Sequence, residues 1–546
     1  VLTDGARSSA APDFAGVIQA YRESIPKLMA EKKVPGLSVA VVTDGEVLWQ
    51  EGFGYTDDDG LIPVSSETLF SIQSMSKNFT AAAVLAAVRE GLVDLDAPIT
   101  KYIPDFTVGS RFEEHPERKM TLRLLLGHRA GFTHEAPDGG NYDLGSGSFE
   151  NHIRSISRTW LRSPVDERYC YSNLGIDLAG YILQVRSGMP FAEFVRRKIL
   201  DPIGLTAGTF DMEAIKRNPK RAIGHNADRA PIPVEIPMVP AGGVYAGAAE
   251  LARYVQFHLN AGRVGGRSIL PESLLKEMSV IPSRNPRQTT GYGLGLAVGR
   301  KDGAVLLNHG GGGFGFLTYM GWIPDRKIGI VLLTNATNHN LMPSLPLEIL
   351  DKFIGAGAGK KVSEAPPKTA ETSLPSSIDV PAADQEKLAG RYLYASGGIM
   401  ILEYENGRVG IKPGTEFLPA QFTSPAEAYF LMGGSPLYCR FVRNADGSPR
   451  RLIRLSDGET LYFNEGPSLA PGPDKLEWES LIGRYVYKVF GRPGGSFTVS
   501  RKNGYLYLDY MRLSEEKPGL FFSAHGEVLD FSGPIPTWRN IKMEKT

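Results

Sequence analysis

The sequence predicts an α/β (α+β) architecture, a single sheet built around a helical insertion, followed by two small all-β modules. Three observations carry this reading. Strand patterns stand at both ends of a segment of roughly 350 residues whose middle is helical, which suggests one sheet built from the two chain ends around a helical insertion. Two separate small sheets are the alternative. A Gly-, Pro-, Lys- and Ser-rich stretch then separates that segment from the remainder. Beyond it, Leu388-Ala389-Gly390-Arg391-Tyr392 returns as Leu481-Ile482-Gly483-Arg484-Tyr485, an internal repeat within an alternating, tyrosine-rich texture.

Taken in order, a helix is expected over about Asp13 to Lys32. Phe14, Val17, Ile18, Tyr21, Ile25, Leu28 and Met29 recur there at helical spacing, and Asp13 can cap the free amides. Val34-Pro35-Gly36 breaks it. Leu37 to Val42 and Glu46 to Phe53 read as strands joined at Thr43-Asp44-Gly45, where glycine supplies the positive φ of a hairpin turn. An alanine-rich helix follows from about Ser74 to Glu90 and stops at Gly91. From about Thr100 to Arg300, short helical patterns alternate with Gly and Pro turns. Ala304 to Leu307, Phe316 to Ile323 and Ile328 to Thr334 are β-rich, Pro324-Asp325 turns the last pair, and a helix over about Ser344 to Ile354 closes the unit. The expected organisation is residues 1–355 as one domain, 356–380 as a linker, and β modules at 381–467 and 474–546. Asn406-Gly407 and Asn503-Gly504 mark a turn in each module. The modules are either two small barrels or two halves of one.

The 60 basic and 60 acidic side chains cancel, which argues against a nucleic-acid-binding or polybasic membrane-surface protein, since both need a concentrated positive field. No apolar run approaches the roughly 18 to 20 residues that span a bilayer. Val1 to Pro12 lacks an apolar signal core, so a targeting segment is either absent or already removed, and a periplasmic or secreted location stays open. Cys170 and Cys439 allow one disulfide at most. No His-Glu-x-x-His or Cys-x-x-Cys occurs and the 9 histidines are scattered, so no metal and no other cofactor is expected. His128 and His134 read as polar or core residues rather than a metal pair. The expected partner is a small molecule or short peptide, with self-association into a homo-oligomer left open.

Four Ser-x-x-Lys spacings occur, starting at Ser24, Ser74, Ser273 and Ser514. On a helix this spacing sets hydroxyl and amine one turn apart on the same face. A lysine held beside a serine in a dry site can be neutral and take the serine's proton. At Ser24, Ser273 and Ser514 the pair reads as a solvated surface feature. Ser74-Met75-Ser76-Lys77 differs: it opens the alanine-rich helix, whose free amides face developing negative charge, and it follows the apolar lead Phe70-Ser71-Ile72. The plain alternative is that Ser74 only caps the helix.

Two further clusters change that balance. Tyr171-Ser172-Asn173 brings a phenol and an amide together; a tyrosine near an ammonium ionises more easily, and an amide can hold both substrate and lysine. A second Tyr-x-Asn, at Tyr404, reads as strand and turn. His309-Gly310-Gly311-Gly312 ends one strand pattern and leads into another. Its glycines let a substrate backbone approach the strand edge, and the Gly312 amide can complete an oxyanion hole with that of Ser74. Cys170, between two tyrosines, reads as a small buried filler before a reactive thiol. No Gly-x-Ser-x-Gly elbow occurs, and the glycine pattern from Gly310 to Gly315 precedes a strand where a dinucleotide site needs a helix.

In this order, Ser74-x-x-Lys77, Tyr171-x-Asn173 and His309-x-Gly311 resemble the three active-site boxes of the serine β-lactamase and penicillin-binding-protein superfamily. The resemblance is to its class C, D-alanyl carboxypeptidase and esterase-like branch, the S12-like peptidases. Val34-Pro35-Gly36, Leu122 to Gly131, Ala241-Gly242-Gly243 and Tyr292-Gly293-Leu294-Gly295 agree with it, and together they span residues 12–355. The resemblance implies a β-lactamase/transpeptidase-like fold, an antiparallel sheet flanked by helices, with Ser74 as nucleophile at the foot of a central helix, and an acyl-enzyme that water hydrolyses. Carried over by position, Lys77 assists deprotonation and Tyr171 acts as general acid and base. Asn173 orients substrate, and His309, Gly311 and Gly312 bind it along the strand.

Members directed at antibiotics usually carry Lys-Thr-Gly or Lys-Ser-Gly in the third box. Here His309 and Gly310 stand in place of the lysine and hydroxyl, and a largely neutral imidazole holds a substrate carboxylate less well. The family's D-stereospecific aminopeptidases have this kind of His-x-Gly box and two β-barrel modules after the catalytic domain, which the repeat resembles. Lipocalin-like tails on other members fit it too. The expectation is a metal-independent serine hydrolase acting on amide or peptide bonds of short, possibly D-residue-containing peptides. A carboxylesterase comes next, then a weak β-lactamase, with a non-catalytic sensor module as the distant alternative.

Overall fold

A computed structural model describes residues 14–57, 59–141, 147–226, 239–283, 285–359, 374–395, 397–489 and 492–546. Seven strands form one sheet: β1 (Gly36–Thr43), β2 (Val47–Gly54), β3 (Gly291–Tyr292), β4 (Ala297–Lys301), β5 (Ala304–Gly313), β6 (Phe316–Ile323) and β7 (Ile328–Thr334). Their spatial order is β2-β1-β7-β6-β5-β4-β3, with every neighbouring pair antiparallel. The two chain ends meet where β1 pairs with β7, so the sheet is single.

Five helices frame this sheet: α1 (Phe14–Lys32), α2 (Ser76–Arg89), α3 (Asn173–Ser187), α4 (Ala248–Leu259) and α5 (Ser344–Gly355). β1 is apolar at nearly every position, as a strand covered on both faces must be. Leu37, Val39 and Val41 join Ile330 and Leu332 of β7 in an apolar cluster with Ile25 of α1 and Phe353 of α5. Ala40 and Val42 face the opposite way, into a cluster with Phe79 of α2, Ile176 of α3 and Leu251 of α4. α2 is the central helix, buried at every residue from Ser76 to Ala87. Its run of alanines lets neighbouring elements approach closely from all sides.

Two element ends depart from the sequence expectation. The α-helix begins at Ser76, not Ser74, because Gln73 takes a left-handed φ of 51° and Gln73–Met75 form a tight 3₁₀ turn. β5 does not end at Leu307 but runs through the whole His309 box to Gly313. Glycines are weak strand formers; here Gly310, Gly311 and Gly312 are held by pairing with Tyr319, Thr318 and Leu317 of β6. The turn comes later, at Phe314 and Gly315, both with positive φ.

Of the expected linker, residues 360–373 lie outside the described residues. Strands between Gly390 and Glu465 form a nine-stranded antiparallel sheet, and strands between Gly483 and Lys545 close into an eight-stranded barrel. The repeated sequence has a repeated structure. Gly390 and Gly483 have φ of 146° and 150°. The hydroxyls of Tyr392 and Tyr485 each donate to the carbonyl four residues back, Leu388 and Leu481, at 2.8 Å. Asn406-Gly407 and Asn503-Gly504 have positive φ at both residues, as a primed hairpin turn requires. Cys170 and Cys439 are both buried and free, so the one disulfide the count allows is not made. Among the described residues no helix is long and apolar enough to cross a membrane.

Candidate active site

Ser74 sits half-buried in the 3₁₀ turn that feeds α2, and Lys77 lies one turn further on, fully buried. Lys77 Nζ donates to Ser74 Oγ, Asn173 Oδ1 and the Ala241 carbonyl, each at 2.9 Å. Three acceptors surround Nζ, so every hydrogen the buried amine carries has a partner.

Each acceptor is itself held. Asn173 opens α3, capped by Ser172, whose Oγ accepts from the Leu174 amide. Asn173 Nδ2 donates to Glu135 Oε1 at 3.4 Å, which turns its carbonyl oxygen toward Lys77. Glu135 also accepts from the backbone and side-chain amides of Asn141, at 2.9 and 2.7 Å, and pairs with His134. Burial opposes ionisation of Glu135, but His134 and Asn141 outweigh it and hold the carboxyl below its usual range. Asp177, one turn beyond Asn173 on α3, accepts from the Ala241 amide at 2.9 Å and meets His152 Nε2 at 3.0 Å. It thereby fixes the peptide whose carbonyl holds Lys77.

The Tyr171 ring centroid lies 5.0 Å from Lys77 Nζ. The ring stacks on His134 at 5.6 Å and packs against His128 at 4.4 Å. His309 Nδ1 lies 2.6 Å from the Gly310 carbonyl, which can only accept, so that nitrogen carries the hydrogen. Nε2 then accepts from the Tyr292 hydroxyl at 2.7 Å. Burial, with Lys77 adding to it, pushes His309 down to about 3. Burial likewise pushes Tyr292 well up. His309 is a neutral imidazole with both nitrogens engaged.

A cavity of about 260 Å³ opens on Ser74, with Gln73, Tyr171, Asn173, Gly310 and Gly312 in its lining, together with His134, Asn141, Ala241 and Gly242. Strand alternation explains why Gly310 and Gly312 reach it while His309 and Gly311 do not. A Cβ on Gly311 would lie 2.2 Å from the Ile72 carbonyl, so the strand lies against the turn that carries Ser74. Thus Ser74, Lys77, Tyr171, Asn173 and Gly312 come together, with His309 and Gly311 in the layer behind. The other Ser-x-x-Lys pairs are elsewhere: Ser273 and Lys276 are exposed, and Ser514 and Lys517 lie on a barrel strand. The sequence reading missed Gln73, Glu135, Asn141 and Asp177, which belong to no motif, and left Tyr292 and His134 without a role. Only the adjacency of two titratable residues, His134 and Glu135, pointed there.

A family model described as Beta-lactamase matches residues 22–350, well over half of the chain. The chain belongs to the beta-lactamase family. The resemblance read from the three boxes is borne out. Among curated relatives, Beta-lactamase-like protein 2 of Dictyostelium discoideum is 24% identical over 476 residues, covering 81% of this chain and 84% of that protein. Two solved structures share the fold. The octameric penicillin-binding protein homologue from Pyrococcus abyssi has a TM-score of 0.53 and 24% identity, over 81% of this chain and 99% of that one. SurE, solved with D-Leu, has a TM-score of 0.55 and 21% identity, over 82% of this chain and 100% of that one. Both likenesses extend beyond the length of the family match, into the β-rich part of this beta-lactamase-family chain.

Proposed function

We propose that this chain is a serine hydrolase that opens amide or ester bonds through an acyl-Ser74 intermediate. The observation that carries the reading is the buried Lys77 Nζ, bonded at once to Ser74 Oγ and Asn173 Oδ1 beside the cavity. As Ser74 Oγ attacks the substrate carbonyl, the Lys77–Tyr171 pair takes its proton. The amides of Ser74 and Gly312 meet the oxyanion, and Tyr171 returns a proton to the leaving group. Water then attacks the acyl carbon with Tyr171 as base, and Ser74 is released with its proton restored.

The substrate class follows from the third box. Neutral His309 supplies no cation and Gly310 no hydroxyl for a carboxylate next to the scissile bond. This favours short peptides, amides and esters over β-lactams. The SurE neighbour was solved with D-Leu, which supports D-residue peptides first, and the lack of a carboxylate clamp favours simple esters as the second reading. A fluorophosphonate probe is expected to label wild-type protein and not Ser74→Ala; equal labelling of both refutes the nucleophile. Parallel assays on acyl esters, peptide anilides of both hands and a chromogenic cephalosporin then separate the substrates. Turnover of esters alone removes the peptidase reading.

A further inference from the structure

A second cavity, of about 280 Å³, lies where the family domain, the nine-stranded sheet and the barrel converge. Its lining includes five arginines: Arg111 and Arg162 from the first, Arg450 and Arg451 from the second, Arg512 from the third. One carboxylate, Glu167, shares that lining. Arg162 pairs with Glu527, Arg451 with Glu167, and Arg111 with Glu516 at a loose 4.0 Å. Among the described residues, neither Arg450 nor Arg512 has a carboxylate partner. Positive charge is therefore in excess around this cavity.

Two features set this cluster apart from a completed ion-pair network. The Arg162 side chain is only 5% exposed, and its Nε, like those of Arg111 and Arg451, is buried without a hydrogen-bond partner. Leaving such donors unpaired is costly unless an acceptor occupies the space. Burial holds Arg111 below the usual guanidinium range, against the pull of Glu516 and with a smaller push from Arg450. Ser163, Ser514, Ser523 and Asn444 add neutral polar groups to the wall. Planar guanidinium forks with hydroxyls match the oxygens of a phosphate or carboxylate group.

We propose that this junction binds a small, multiply charged oxyanion, which ties the three units of the chain together through their arginines. The site is separate from Ser74 and stands whether or not the hydrolase reading holds.

The test uses the full chain, with isothermal titration and thermal unfolding in pyrophosphate, in citrate and in sodium chloride at matched ionic strength. Saturable binding of pyrophosphate or citrate is expected, raising Tm by at least about 3 °C where chloride does not. Which of the two binds more tightly tells phosphate from carboxylate chemistry. The double variant Arg450→Gln/Arg512→Gln leaves no carboxylate behind unpaired. It is expected to keep the ligand-free Tm and weaken binding at least about tenfold. If that variant does not fold, the exposed Arg450→Glu alone is expected to weaken binding by a similar factor. Absence of saturable binding, a Tm rise reproduced by chloride, or unchanged affinity in the folded variant overturns the proposal.

Discussion

Lys77 Nζ has an acceptor for each of its hydrogens, and each acceptor is fixed by a different residue: the 3₁₀ turn for Ser74, Glu135 for Asn173, Asp177 for Ala241. Removing a member that handles protons should cost more than removing one that only orients. Lys77→Ala or Tyr171→Phe is expected to slow turnover at least about a hundredfold. Glu135→Ala leaves the Asn173 amide free to rotate, and a fall of about tenfold in kcat with little change in KM is expected. Steady-state rates on whichever substrate the panel identifies check both; near-wild-type rates in the first pair remove their assigned roles. With His309 down to about 3, the imidazole stays neutral from pH 5 to 9 and contributes no limb to the rate profile. His309→Gln is therefore expected to keep the shape of the kcat/KM profile, whatever it does to the height. The proposed pair, Ser74 and Lys77, was legible from a three-residue spacing. Glu135 and Asp177 were not, because their function comes from where the loop and α3 end up.

At the scale of elements, β5 decides the shape of the site. Its glycines alternate between two environments that spacing alone does not distinguish. A Cβ on Gly310 would meet only the Thr318 carbonyl, at an ordinary 3.6 Å, whereas one on Gly311 would meet Ile72 O at 2.2 Å and Thr318 Oγ1 at 2.3 Å. Gly310→Ala is expected to stay within a few-fold of wild type. Gly311→Ala must push β5 off the Ser74 turn, and a loss of about a hundredfold or more is expected, since sub-ångström placement controls attack. Equal tolerance of the two would show that the strand does not set the site. The regular elements were readable from periodicity: α1, β1, β2, β6, β7 and α5 all fall within a residue or two of where alternation or helical spacing put them. The irregular ends were not. The Gln73 turn and the glycine tail of β5 both defy local propensity and are held by contacts across the sheet.

Over the whole molecule, the barrel is anchored deep in the family domain. Glu527, fully buried, bonds Thr133 and Arg162 and is joined by Arg539, while Asn540 donates to the Glu135 carbonyl at 2.7 Å. The barrel thus grips the loop that carries His134 and Glu135. Glu527→Ala strands Arg162 without its partner, and a stability loss of about 3–5 kcal/mol is expected in denaturant unfolding. A loss under about 1 kcal/mol would show that the pair contributes little. Acid should weaken the fold as well. Burial holds His258, His309 and His525 at about 3 and His339 at about 4, so all are neutral when folded. Unfolded, they protonate near their ordinary value of about 6.5. The unfolded state therefore binds more protons, and stability falls as pH drops from about 6.5 toward 4. His152 opposes this: burial lowers its affinity for a proton, but Asp177 outweighs burial and raises it. A Tm that is flat between pH 7 and 4.5 contradicts the balance drawn here.

The sequence by itself determined the helices and strands of the sheet and the repeated β modules, and through the resemblance of its three boxes it pointed to the family and to Ser74, Lys77, Tyr171 and Asn173 as candidates. The elements rest on periodicity, which backbone geometry converts directly into faces and turns, whereas the family and the candidate residues rest on the resemblance of three ordered boxes. Only the tertiary structure decided that His309 stands behind the cavity, that Glu135 steadies Asn173, and that a barrel residue reaches Thr133 across 394 positions of chain. Contacts of that reach are set by how whole elements pack, and no local pattern of side chains encodes them.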